Sequence, residues 1–144
     1  MSTQRALLLV IVAIAVLMIY RWSERPAVDP VAEDPRITSV QAAYTAQRSG
    51  VVVEVQGRVD RLLSDDERGS RHQRFILKLS DGHSLLISHN IDLAPRAPLS
   101  IGDMVKLRGQ FEWNNKGGVV HWTHHDPQGQ RRGGWLEVGG KRYR

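Results

Sequence analysis

The run GGVVHWTHHDP, Gly117 to Pro127, gathers three of the chain's six histidines, a tryptophan and an aspartate. These residue types carry out proton transfer, metal ligation and aromatic stacking, so spacing decides which chemistry is open to them. Read as a strand, Val119 to His125 puts Val119, His121, Thr123 and His125 on one face and Val120, Trp122 and His124 on the other. His121 and His125 would then stand about 13 Å apart, too far to share one ion with bonds of about 2 Å. A helix would bring them together, but Gly117, Gly118, Val119, Val120 and Thr123 disfavour one, and no Glu follows His121 to make a zincin motif. A single metal would need His72 or His89 from a neighbouring strand, or a bulge at the histidine pair.

Two other polar stretches invite the same question. Ser70 to Arg74 (SRHQR) follows the acidic loop Asp65, Asp66, Glu67, and His89-Asn90-Ile91-Asp92 precedes Leu93 to Arg96. If these strand ends meet the histidine pair, then Arg71, His72, His89, Asn90, His124, His125 and Asp126 form a candidate ligand-binding mouth. Arg would serve an anionic group, His proton transfer, and Asp orientation. The plainer alternatives are that Asn90 and Asp92 cap a turn, that Arg71 pairs with the acidic loop, and that Trp113, Trp122 and Trp135 are core. No nucleophile elbow, P-loop or dinucleotide fingerprint is present, and no catalytic residue, metal ligand set or cofactor is assigned.

The elements that must position these groups follow from periodicity. Ile37 to Arg48 has a helical rhythm ending at Ser49-Gly50. Alternating, β-branched strand candidates then run over Val51 to Leu63, His72 to Leu79, His83 to His89, Asp103 to Asn114 and Val119 to His125. In the fourth, Val105, Leu107, Gly109, Phe111 and Trp113 point inward and Lys106, Arg108, Gln110 and Glu112 point to water. Asp81-Gly82 signals a two-residue hairpin turn, Asn114 to Gly118 a second hairpin, and Gly57 a bend in the long first strand. The fold class expected is mainly β: a five-stranded OB-like small barrel with a short preceding helix and an N-terminal transmembrane helix. An SH3-like barrel or open meander is the alternative, and Gly139-Gly140 leaves either a terminal hairpin or a loose tail.

The leader is apolar from Ala6 to Tyr20 (ALLLVIVAIAVLMIY), flanked by Arg5, Arg21, Trp22 and Arg25. It rises about 22 Å as a helix, short of a bilayer core of about 30 Å unless the flanks help and the arginines snorkel. The run ends without small residues at the A-x-A positions, which favours an uncleaved anchor over a signal peptide. Residues 1–25 are therefore expected to anchor the chain in the inner membrane, with 26–36 as a proline-rich linker, 37–138 as the β domain on the periplasmic side, and 139–144 as a basic tail. The absence of cysteine removes disulfides and thiolate metal sites.

Of the net charge of +5, residues 127–144 carry +4, while 49–126 balance ten basic residues against ten acidic ones. Nucleic-acid binders usually place their positive surface on the folded face, so a neutral β domain argues weakly for oligonucleotides. Arg131, Arg132, Lys141, Arg142 and Arg144 suit anionic lipid, an acidic partner or simple solvation.

The runs GSRHQRFILKL (Gly69 to Leu79), HNIDLAPR (His89 to Arg96), GQFEWNNKGGVVHWTHHDP (Gly109 to Pro127) and GGWL (Gly133 to Leu136) resemble a family of small bacterial proteins known as a domain of unknown function. The similarity covers about residues 50 to 138. It implies a compact domain behind an N-terminal signal or anchor, with no established activity to carry over.

The expectation is a membrane-anchored envelope protein whose mouth binds a polar or anionic ligand, such as an anionic small molecule, a glycan or an oligonucleotide. The alternative is a His-dependent phosphodiester hydrolase, its histidines serving as acid and base or holding a divalent ion. No protein partner is inferred.

Overall fold

The structure, a computed structural model, describes residues 38–144. The expected anchor at 1–25, the linker at 26–36 and the first helical residue, Ile37, lie outside the described residues. No helix among the described residues is long and apolar enough to cross a membrane.

The entering helix, α1, is Val40–Thr45, shorter than the rhythm of Ile37 to Arg48 suggests. Ser39 caps it by accepting from the Ala42 amide at 3.1 Å, and Thr38 instead donates its amide to Val52 O at 2.9 Å. At the other end Gln47 takes φ 50°, which a helix cannot continue through. Val40 and Ala43 are the buried residues that seat it.

Seven strands follow: β1 (Val51–Asp66), β2 (His72–Leu79), β3 (Ser84–Asn90), β4 (Met104–Glu112), β5 (Val119–His121), β6 (Trp135–Val138) and β7 (Lys141–Tyr143). The first half of β1 pairs antiparallel with β4, from Val51 opposite Phe111 to Arg58 opposite Met104. Its second half pairs with β2, from Gly57 opposite Leu79 to Asp66 opposite His72. β2 pairs with β3, β3 runs parallel to β5, and β5 returns antiparallel to β4. The fold is mainly β, with five strands closed into a ring in the order β1, β2, β3, β5, β4.

Gly57 serves both halves of the ring, paired at once with Leu79 and Val105. A Cβ there would stand 2.5 Å from Lys78 O, so the bend expected from its position is also a point of close backbone approach. The β2–β3 loop holds three residues rather than two, because Leu79 and His83 form the last bonded pair, with Leu79 N to His83 O at 2.8 Å.

Phe75, Leu77, Leu85, Ile87, Val105, Leu107, Phe111, Val120 and Leu136 fill the interior. Each such side chain contributes about 1.5–3 kcal/mol on burial. The longer β3–β4 connection is tied down by Gln73, whose amide donates to Ala97 O at 2.8 Å and accepts from Ala97 N at 3.0 Å.

Two features depart from simple alternation. Arg108, expected on the wet face of β4, is 3% exposed and ion-paired to Glu54 of β1 at 2.9 Å. β5 stops at His121 rather than reaching His125, since Trp122 takes φ 57° and leaves the strand. The two alternatives for the C-terminus resolve into a hairpin: β6 pairs with β4 through Leu136 opposite Leu107, and β7 pairs with β6.

Candidate functional site: a cationic loop on the β4 edge

β5 and β6 occupy successive stretches of the same β4 edge. His121 lies opposite Gln110 and Trp135 opposite Arg108, so residues 122–134 leave and rejoin the sheet at Gly109. The base of this loop is tight. A Cβ on Gly134 would lie 2.0 Å from Trp122 O and 2.5 Å from Arg108 O, and Gly134 N donates to His124 O at 2.8 Å. Holding a tryptophan at φ 57° costs about 1–3 kcal/mol, a strain tolerated where surrounding contacts over-determine the backbone.

The left-handed turn at Trp122 lets consecutive residues Thr123 and His124, 0% and 3% exposed, both turn inward. The Thr123 hydroxyl meets His89 Nδ1 at 2.8 Å, while His89 Nε2 lies 3.1 Å from Pro95 O. A carbonyl only accepts, so Nε2 donates, and neutral Nδ1 accepts from the hydroxyl. Burial pushes the His89 pKa down, beyond what the Pro95 contact restores, and the neighbouring His124 and His72 add to the depression. His89 is a neutral core residue with both ring nitrogens engaged.

His124 Nδ1 donates to His125 O at 2.6 Å, which leaves Nε2 with its lone pair and no hydrogen-bond partner among the described residues. Its pKa is lowered, first by burial and further by His125, His121 and His72. His72, His89, His121, His124 and His125 therefore share one electrostatic neighbourhood, yet among the described residues no group of three His, Asp or Glu side chains is arranged to hold a metal ion.

The remaining candidates are committed to scaffolding. Arg71 donates to Asp92 at 2.8 Å, rather than to the acidic loop, where Arg68 pairs with Asp66 at 3.2 Å. The guanidinium holds the Asp92 carboxyl below the usual carboxylate range after the Arg71 backbone amide has done most to lower it. Asn90 caps the turn after β3, accepting from the Asp92 and Leu93 amides at 2.9 and 3.2 Å. His72 Nδ1 donates to Ser70 O at 2.7 Å. Asp126 organises the loop tip, accepting from the amides of Gln128, Gln130 and Arg131 at 3.2, 2.7 and 2.8 Å. Desolvation pushes its pKa up, but these bonds and the Arg131 charge together hold it below normal.

The structure thus brings His124, His125 and Asp126 to one loop and sets Arg71 apart on its own ion pair. It also shows a cationic surface built in part from residues 139–144, expected as a basic tail. One groove, about 310 Å³, is lined by His125, Arg131, Arg132, Trp135, Arg142 and Arg144, with Asp126 as its carboxylate. On the other side of the loop a groove of about 400 Å³ is lined by Arg108, Gln110, Trp122, Gln130, Arg131 and Arg132, with no carboxylate among the described residues. Trp122 and Trp135 are neither core nor open platforms: Arg131 lies 4.8 Å from the Trp122 ring centre and Arg142 4.0 Å from that of Trp135. The only sequence signal for this surface was the concentration of charge after residue 126.

A family model described as "Protein of unknown function (DUF3465)" matches residues 16–144. The chain belongs to that family. The match extends the resemblance seen in the sequence through the hairpin of β6 and β7, so the DUF3465 region includes both cationic grooves. No curated protein matches the chain.

Proposed function

We propose that this chain is a membrane-anchored envelope binding module, that its ring is an OB-like barrel, and that the 122–134 loop receives an anionic ligand. The carrying observation is the pair of grooves sharing Arg131 and Arg132 as a common wall, in which the one lining carboxylate among the described residues, Asp126, already accepts three backbone amides. Arginine suits such a role because its planar fork matches carboxylate and phosphate oxygens. The OB-like reading is supported by the strand order, by the bent β1 shared between two halves, and by the long β3–β4 connection. The anchor rests on the apolar run from Ala6 to Tyr20, and the envelope location follows from it.

The test is a titration of the full-length chain in mild detergent with inorganic pyrophosphate, citrate, an anionic oligosaccharide and a single-stranded oligonucleotide. Binding by at least one probe, weakened by salt and reduced about tenfold or more in Arg131→Ala/Arg132→Ala, is the expected result. Absence of binding to all four, or binding indifferent to the double substitution, overturns the proposal.

A second reading, a His-dependent phosphodiester hydrolase, has one observation in its favour: His124 is held neutral with Nε2 uncommitted among the described residues. His89 offers no complementary acid or base. Hydrolysis of an activated phosphodiester that is lost in His124→Asn would support this reading, and its absence in the wild-type chain would exclude that substrate class.

A further inference from the structure

Among the described residues, one buried side-chain nitrogen has no hydrogen-bond partner: Nε1 of Trp122. Buried polar groups are nearly always paired, so an orphan in a well-bonded loop asks for an acceptor from outside the chain. Trp122 is also the residue held at φ 57°, and its side chain lines the groove with Arg108, Arg131 and Arg132. Its ring faces have neighbours already, with the Arg131 guanidinium 4.8 Å from the ring centre and the His124 ring 5.2 Å away at a 36° tilt. What remains to be satisfied is the indole N–H at the ring edge.

We propose that the groove between the start of β1, β4 and the 122–134 loop takes a small oxyanion-bearing ligand, and that the Trp122 indole N–H is the neutral donor that orients one of its oxygens. The inference rests on the anionic-ligand reading above and names the group that sets orientation. A volume of about 400 Å³ suits a small molecule rather than a folded partner. Among the described residues the lining supplies guanidinium and indole donors and two glutamine amides, and no carboxylate to repel an anion. Gln110 already donates to Glu112 at 2.7 Å, which commits its amide nitrogen and leaves its carbonyl for a ligand hydroxyl.

Nε1 is buried, so an oxygen reaches it only when a neighbour gives way. Arg131 is a neighbour of the ring that can move. Its side chain is exposed and makes no hydrogen bond among the described residues, being held to the loop through its backbone amide on Asp126. An arriving oxyanion draws the guanidinium from the indole face to itself, so the same movement loosens the packing around the ring and supplies the charge partner.

The experiment uses the full-length chain in detergent with its four tryptophans labelled at the indole nitrogen. Trp122→Phe keeps an aromatic ring, removes the donor and identifies the Trp122 signal. Titration with inorganic pyrophosphate and, separately, citrate distinguishes tetrahedral from planar oxyanions. The expected result is a downfield shift of the Trp122 indole proton with one of them, an unmoved Trp113 signal, and about tenfold weaker binding in Trp122→Phe.

Binding that depends on Arg131 and Arg132 but leaves the Trp122 signal unmoved overturns this inference and leaves the anionic-ligand reading intact. Equal affinity in a folded Trp122→Phe also overturns it. So does an indole proton that exchanges with water and answers to neither anion, which would mark an ordered water as the partner. Failure of both anions to bind removes this inference, while the oligosaccharide and oligonucleotide still decide the wider reading. If Trp122→Phe does not fold, Trp22→Phe, Trp113→Phe and Trp135→Phe assign the other three indole signals, and the wild-type titration read at the fourth decides.

Discussion

At the end of the β2–β3 hairpin, Arg71 closes on Asp92, Asn90 caps the following turn, and His89 is consumed between Thr123 and Pro95. On the 122–134 loop the same residue types are divided differently. Asp126 serves the backbone, leaving Arg131 beside Trp122. The hairpin end uses its polar groups to hold chain against chain, and the loop retains positive charge at its surface. Polar residues near one another in sequence become a site only when the fold leaves their charge or hydrogen-bonding capacity unsatisfied.

The comparison breaks most visibly at His89. His89→Ala removes a fully buried side chain and orphans the Thr123 hydroxyl and the Pro95 carbonyl, so it is expected to cost about 3 kcal/mol in denaturant unfolding. Anion binding by the molecules that remain folded should be preserved. A loss below about 1 kcal/mol would mean that His89 is not the neutral core residue described.

Acid sharpens the same contrast. His89 and His124 both have folded pKa values below the ordinary 6.5, so between the two values the unfolded chain binds more protons. Their contribution to stability is complete above about pH 6.5 and is lost as pH falls through the depressed values. Urea unfolding at about pH 8 and about pH 5.5 should show a lower midpoint at the acid end, with a smaller drop in His89→Ala. Midpoints independent of pH would refute the burial-driven depression of these two imidazoles.

The smallest effect is expected at Arg71, named from sequence as a ligand contact. Its pair with Asp92 is exposed on both sides, so Arg71→Ala should leave anion affinity unchanged and barely move the unfolding midpoint. A clear loss of affinity in this variant would return the hairpin end to the site.

Much of this arrangement could be read in advance because it is local. Alternation in VKLRGQF marks β4, Gly57 marks the bend in β1, and Asn90 and Asp92 carry turn chemistry in their side chains. The extent of β5 could not be read, because Val119 to His125 alternates acceptably as a strand and only the return of residues 133–134 against β4 forces Trp122 out of it. Arg108 belongs with it: its position in the alternation says water, and Glu54, its ion-pair partner on β1, comes from a distant part of the chain.

By itself, the order of amino acids determined a mainly β domain, the short helix before it, the hydrophobic leader and a surplus of positive charge near the C-terminus, since each depends on neighbours within a few residues. Tertiary structure decided which polar groups became scaffold and which were left to face a groove. The reason is that a histidine or arginine is defined by the partners at its polar atoms, and those partners, Thr123 for His89 and Trp122 for Arg131, are chosen by how the ring closes and how one loop crosses its edge.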